Sequence, residues 1–395
     1  MAIDSSADVV TDQQDKTFHT GQVLTLAAAH FVHDVYSAFL APLLPLIIDK
    51  LSLSLMLAGS LPLYLRLPSL VNPLIGMLAD RVDLRWFVIL APGVTAAAMS
   101  LLGLAPNYAL LALLLLIAGL SSATLHVPGP VLIAQASGDR VGKGMSFWMT
   151  GGELARTVGP LFAVSAVSVL TLEGSWPIMV TGIIASGVFY ARIIDAPVRP
   201  PSRTHNSLGQ TWRAMRRVLL PLAGIMLTRV LMRASLTIFL PTFLKTEGQS
   251  LWFGGIALAV MELAGAVGAL VTGTFSDRLG RRRVLLVSVG TAPLFTALFL
   301  LVKGWALLPV LVLIGLADLS IAPVVLAIVQ ENAGDHPAMA NGLYMSISFI
   351  IGAAGPVLVG ALADVVGLRT AFVWGTLLAL TAVPFIYLLP RDEGD

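Results

Sequence analysis

Twelve apolar stretches, each long enough to cross a hydrocarbon layer about 30 Å thick, fill most of this 395-residue chain. They run over residues 22–48, 55–78, 86–104, 108–136, 144–170, 175–195, 219–244, 251–275, 284–302, 305–332, 339–366 and 369–389. Only 12% of the residues are charged and 57% are hydrophobic, whereas a soluble chain is about 25% charged. Too little charge is left to cover a water-facing surface. Several stretches carry internal breakers, such as Pro128 with Pro130 and Gly159-Pro160. A bilayer tolerates these in helices whose neighbours re-satisfy the backbone. The expected fold class is an all-α polytopic membrane protein with twelve transmembrane helices.

Orientation follows from the basic residues. With the N-terminus inside, sixteen Lys and Arg fall in inner segments, four in outer loops and four within spans. That asymmetry predicts two cytoplasmic termini. Residues 1–20 are acidic (Asp4, Asp8, Asp12, Asp15 against Lys16) and lack the basic start of a signal peptide. They are expected to form a disordered cytoplasmic tail, with 391–395 as a second tail. The absence of cysteine excludes disulfides, thiolate metal sites and thiol catalysis. No Walker loop, dinucleotide fingerprint, nucleophile elbow or His-Glu-x-x-His is present. The chain is therefore not expected to be an enzyme, and no cofactor or metal is expected.

The chain repeats itself at about half its length. Gly76-Met-Leu-Ala-Asp80-Arg81 returns as Gly273-Thr-Phe-Ser-Asp277-Arg278 after 197 residues, and Gly159-Pro160 as Gly355-Pro356 after 196. Pro128 returns as Pro323, Gln135 as Gln330, and Phe39-Leu40 as Phe239-Leu240. Two six-helix bundles, 21–195 and 219–390, are expected around a cytoplasmic linker, 196–218. The linker is Pro-rich, then basic (Pro197, Pro200, Pro201, Arg213, Arg216, Arg217). Its end reads either as a short amphipathic helix on the anionic inner leaflet or as a solvated connection. Parallel halves of this kind place a binding site at their interface near the midplane.

Gly273, Asp277, Arg278, Gly280, Arg281 and Arg282 complete the pattern Gly-x-x-x-Asp-Arg-x-Gly-Arg-Arg, which resembles the signature loop of the major facilitator superfamily. The first copy departs, with Asp83 at the later glycine, and a decayed third copy runs from Gly360 through Asp364 to Gly367. The resemblance covers about residues 20–390. It implies two pseudo-symmetric six-helix bundles, the major facilitator fold, with a cavity between helices 1, 4, 7 and 10. An Asp at a helix end facing a neighbouring helix N-terminus, with Arg residues pairing across the gap, can latch one conformer. Gly76, Asp80, Arg81, Gly273, Asp277, Arg278 and Arg281 are read as that gate latch; the bland alternative is that these charges only set topology. Helix 1 reads Ala29-His30-Phe-Val-His33-Asp34, helix 4 has Ser121-Ser122 before His126, and helix 5 has Gly151-Gly152 before Gly159-Pro160. This combination is similar to the fosmidomycin-resistance efflux branch. His33 replaces an amide of that branch, Val127 a proline, and Glu153 and Arg156 stand where it carries uncharged residues. The resemblance implies a bacterial inner (plasma) membrane.

Ionisable residues inside a span are costly and are functional candidates by default. Here they are Asp34, Glu153, Glu262 and Asp318 against Arg66, Arg156, Arg229 and Arg233. His30, His33, Asp34 and Ser37 share a face of helix 1, and Asp34 lies about 18 Å into its span. Asp34, His33, His30, Glu153 and Glu262 are the proton-coupling candidates; the alternatives for the helix 1 group are a structural pairing and, last, a metal site, and Glu153 with Arg156 reads equally as part of a substrate site or as a structural ion pair. Arg229, Arg233, Arg156, Arg66, His126 and Asp318 are the substrate-binding candidates. Arg suits carboxylate, phosphonate or sulfonate because its fork binds two oxygens. The competing reading pairs Arg229 and Arg233 with Glu262 or Asp318, and His126 with a helix interface.

The expected function is secondary transport by alternating access: a proton-coupled exporter, or antiporter, of a small organic molecule, anionic or drug-like. A proton symporter importing an organic anion is the alternative within transport, and a non-transporting membrane sensor the alternative outside it. The expected partners are a small-molecule substrate, protons and the lipid bilayer, with no nucleic acid and a monomeric chain.

Overall fold

The computed structural model describes residues 17–72, 84–193, 208–333 and 337–390. Twelve helical segments follow one another: α1 Thr20–Leu51, α2 Leu55–Leu70, α3 Arg85–Leu104, α4 Tyr108–Ala136, α5 Val141–Leu170 and α6 Trp176–Ile193. After these come α7 Trp212–Thr246, α8 Leu251–Leu279, α9 Arg281–Leu301, α10 Gly304–Glu331, α11 Pro337–Val366 and α12 Leu368–Tyr387. All but α2 are long and apolar enough to cross a membrane. The second span was expected over 55–78; residues from 73 onward lie outside the described ones. The helix leading into α7 already begins at Leu208, so 208–218 of the expected linker are helical. Side chains such as Val169, Leu270, Leu301 and Val365 are almost fully exposed on the outside of the bundle. A belt of this kind suits lipid and not water, and the chain is an integral membrane protein.

The proline positions shape four of the helices. Proline removes the hydrogen bond to the carbonyl four residues earlier and clashes with it. α1 is interrupted at Ala38 and Phe39, four residues before Pro42. α4 breaks at Val127, where Pro128 begins a new segment. α7 and α10 each relax into a π turn, Ser235–Phe239 and Gly315–Leu319, and Pro241 and Pro323 follow four residues behind Thr237 and Leu319. These are helices 1, 4, 7 and 10, and they carry most of the buried charge. Wide turns in helices recur at functional sites because they free backbone groups and re-aim side chains.

The repeat seen in the sequence is also a repeat of contacts. A Cβ on Gly159 of α5 would lie 2.6 Å from the Val35 carbonyl oxygen of α1, and one on Gly355 of α11 would lie 3.1 Å from the Val230 carbonyl oxygen of α7. Between the halves, Gly59 of α2 sits against the Pro356 carbonyl, and Gly255 of α8 sits 3.5 Å, by the same measure, from the Pro160 carbonyl. Small residues at these crossings let backbones approach closely.

The apolar core is continuous across both halves at one end only. There Phe39, Leu43 and Leu44 join Phe239, Leu240 and Phe243 in one cluster. At the other end the buried apolar residues form two clusters. Val23, Leu125, Trp148 and their neighbours belong to the first half, and Met215, Ile328, Leu389 and theirs to the second. At the joined end Lys245 pairs with Asp49 across the halves. The Asp364 carboxylate accepts the backbone N–H groups of Leu55 at 2.8 Å and Met56 at 2.9 Å. An acid is favourable at a helix N-terminus, where donors are unsatisfied, so α11 caps α2 across the interface. Asp364→Ala should weaken this closure by about 0.5–2 kcal/mol, the usual effect of losing a cap. The chain has no cysteine, so engineered pairs across this end can report it: crosslinking should fall in Asp364→Ala, and unchanged crosslinking would show that the cap does not hold the halves.

Candidate functional site

Three groups of polar side chains lie between or beside the halves at mid-span. The first is built on α1. His33 Nδ1 lies 2.7 Å from Asp34 Oδ1, and His30 Nε2 lies 3.2 Å from Asp34 Oδ2. His126, arriving from α4, places its Nε2 3.7 Å from Asp34 Oδ1 and 3.2 Å from His30 Nε2. The His30 ring stacks on Trp148 with centroids 4.1 Å apart. Gly152 makes room for that ring, since a Cβ there would lie 2.6 Å from His30 Cε1. His30 Nδ1 is 2.8 Å from the Trp148 carbonyl oxygen, and His126 Nδ1 is 2.9 Å from that of Ser122. A carbonyl only accepts, so both Nδ1 atoms carry hydrogen, and it is Nε2 of each ring that turns inward, as a lone pair when the ring is neutral and as an N–H when it is protonated. His33 is fully buried, with Nε2 unpartnered. Ser37, expected on the same face, is half-buried; its hydroxyl oxygen is enclosed with no hydrogen-bond partner and takes no part.

The second group crosses between the halves. Arg156 of α5 bonds Glu153 one turn earlier on the same helix. Its Nε also lies 3.7 Å from Glu262 Oε2 of α8, in the other half. Two carboxylates thus share one guanidinium, so the set carries one net negative charge unless one of them holds a proton. By the half-repeat, Glu262 corresponds to Arg66 and Arg156 to Gly352 after an offset of 196. A Cβ on Gly352 would lie 2.8 Å from Arg66 Nη1, so the same crossing is occupied at the second interface by Arg66. No acid within salt-bridge distance of Arg66 is present among the described residues.

The third group belongs to the second half. Arg229 of α7 pairs with the Asp318 carboxylate of α10, and both are buried. Arg233, one turn later, reaches Asp318 Oδ2 at 3.5 Å and its carbonyl at 3.2 Å. The Arg233 side chain is 45% exposed and that of Asp318 only 1%. Arg233 therefore faces the cleft, while Asp318 is enclosed behind the arginines and not open to a ligand. Glu262 was a possible partner for Arg229 or Arg233; it lies instead beside Arg156.

Of the expected gate-latch residues, Gly76, Asp80 and Arg81 lie outside the described residues. In the second copy, Gly273, Asp277 and Arg278 lie near the end of α8, and Gly280 turns into α9 with φ +92°. Arg281 pairs with Asp277 and with Glu331 at 2.8 Å. Those contacts stay inside one half. Among the described residues, Asp364 of the decayed third copy is a motif residue that joins the halves. The sequence carried its signal as Gly360 and Asp364, but not that α2 would present its N-terminus there.

The sequence profile of the Major Facilitator Superfamily matches residues 26–356 and 253–395. The chain is 24% identical to the fosmidomycin resistance protein of Escherichia coli (strain K12), covering 94% of this chain and 93% of that one. It is 26% identical to YfnC, an uncharacterized MFS-type transporter of Bacillus subtilis (strain 168), covering 100% and 98%. Among solved structures, a bacterial homologue of the human lysosomal transporter Spinster, inward-facing and unoccupied, superposes with a TM-score of 0.77 at 16% identity, covering 95% and 97%. A D-xylose–proton symporter does so with 0.72 at 16% identity, covering 96% and 99%. The twelve-helix repeat, the glycine–proline crossings of the halves and these matches agree: the chain belongs to the major facilitator superfamily of transporters.

Proposed function

We propose that this transporter is a proton-coupled exporter of a small organic anion, working by alternating access at the bacterial inner membrane with both termini in the cytoplasm. In that orientation the continuous core and the Asp364 cap close the outer end, and the end with two separate cores faces inward. The observation that carries the reading is the charge pattern at the two crossings. At one, two carboxylates from opposite halves share Arg156; at the other, no acid among the described residues lies within salt-bridge distance of Arg66. Taking up a proton makes the first crossing electrically neutral; a monoanion would cancel one of the two positive charges left at Arg66 and the cleft-facing Arg233, and a dianion both. Charge uncompensated at mid-membrane is costly, so filling and emptying the two sites bears on the same motion of the halves. Among the acids read as proton carriers, Glu262 is preferred to Asp34 because its partner lies in the other half. Asp34 and its histidines are held within one half.

Export is supported by the similarity to a protein named for fosmidomycin resistance. Proteoliposomes with an imposed pH gradient test both coupling and direction. With fosmidomycin, then a panel of small carboxylates and sulfonates, as probes, an acidic interior should drive uptake in exchange for protons. Uptake driven by an alkaline interior would identify a symporter. Uptake indifferent to the gradient would remove proton coupling.

A further inference from the structure

The His30, His126 and Asp34 cluster is not used by that reading, and its geometry asks for something more. Two histidines and a carboxylate from α1 and α4 converge with ligand atoms within 4.8 Å of one another. Both imidazoles have their Nδ1 hydrogens committed to backbone carbonyls, of Trp148 at 2.8 Å and Ser122 at 2.9 Å. In the neutral rings the Nε2 lone pairs face each other across 3.2 Å, with Asp34 Oδ2 3.2 Å from His30 and Oδ1 3.7 Å from His126. With both rings neutral, these are three acceptors with no donor among them, and they repel unless a cation lies between them. A proton bridges only two of the three at a time.

We propose that His30 Nε2, His126 Nε2 and the Asp34 carboxylate form a three-ligand site for a divalent transition metal ion of the Zn²⁺ class. Zinc–ligand bonds of 2.0–2.1 Å in a tetrahedron place neighbouring ligand atoms about 3.3 Å apart; the two Nε2 atoms are already 3.2 Å apart, and one atom from each of the three ligands falls within 4.8 Å, so only the Asp34 carboxylate has to close in on the ion. The supporting groups are those a metal site needs. Ligating histidines commonly donate their second N–H to a carbonyl, and ligating carboxylates are themselves hydrogen-bonded. Here His33 Nδ1, 2.7 Å from Asp34 Oδ1, supplies the second condition. The His30 ring is further fixed by Trp148 and by the absence of a side chain at Gly152. His126 is the open member, with 40% of its side chain exposed, so a fourth position would lie on its side, available to water or to a donor atom of the substrate. All three ligands belong to the first half, so the ion would travel with that half as part of the cleft wall.

The experiment is metal binding to purified, tag-free, full-length protein at one fixed pH, by calorimetry with Zn²⁺ and by the visible spectrum with Co²⁺. One equivalent is expected in the wild type, with a four-coordinate Co²⁺ spectrum. His30→Ala and His126→Ala should lose it, Asp34→Asn should weaken it tenfold or more, and His19→Ala should leave it unchanged. His126→Cys keeps the ligand count. Because the chain has no other cysteine, a thiolate-to-Co²⁺ charge-transfer band in that variant would place residue 126 on the metal. Thermal melts of the metal-free variants separate loss of a ligand from loss of the fold. Absence of a bound equivalent in the wild type, or an equivalent that persists in His126→Ala, overturns the site. No transport is read in this assay, so its failure leaves the proton-coupling proposal standing, and the reverse also holds.

Discussion

Replacing Arg229 by alanine is expected to lower the stability of the protein sharply, by about 3–5 kcal/mol, because one member of a buried ion pair is removed and the other left behind. Asp318 is almost wholly enclosed and takes its main partner from Arg229. Arg233, at 3.5 Å and half exposed, can offset only part of the loss. The double variant Arg229→Ala with Asp318→Asn should recover much of the melting temperature, since no buried charge is then stranded. Arg233→Ala should behave differently, because Asp318 keeps Arg229. It should stay folded and lose affinity for an anionic substrate by more than about tenfold, the equivalent of a charge-assisted hydrogen bond of about 1.5–3 kcal/mol. Lysine at 233 should rescue only in part, lacking the fork. Melting temperature and substrate affinity on the same purified variants check all of this. A stable Arg229→Ala protein would show that the pair does not hold α7 to α10.

The second large effect is on coupling. Glu262→Gln should abolish accumulation driven by a pH gradient and leave substrate counterflow intact, since exchange of substrate moves no net proton. The fold should survive, because Arg156 keeps Glu153. What is lost is large: one proton crossing 100 mV supplies about 2.3 kcal/mol, enough for a substrate gradient of roughly 50-fold. Glu153→Gln should differ, since it leaves Arg156 paired across the halves to Glu262 alone. That variant is expected to be slowed in counterflow as well, because the cross-half pair no longer has a competitor within its own helix. Normal pH-driven accumulation by Glu262→Gln would remove Glu262 as carrier.

The helices were legible in the sequence because crossing a bilayer demands an unbroken apolar length, and that demand acts on each segment alone. The two halves were legible because the markers of the repeat are backbone devices. Gly159-Pro160 and Gly355-Pro356 recur, and each pair meets matching carbonyls in the structure. The break in α4 was marked by Pro128, and Pro323 repeats it in α10, whereas the parts played by Pro42 in α1 and Pro241 in α7 emerged only from the structure. The ionisable residues could be named in advance as well, since each is costly wherever it sits in a span. Their partners could not. Glu262 meeting Arg156 rather than Arg229, Asp318 enclosed while Arg233 is open, and His126 closing on His30 depend on the rotation and crossing of separate helices. A helix sequence gives the face a side chain lies on, but not which neighbour that face meets. The same holds for Asp364. Its motif was visible as a decayed copy, yet its role as the cap of α2 exists only because the halves close at that end, bringing an acid to a helix N-terminus some three hundred residues away in sequence.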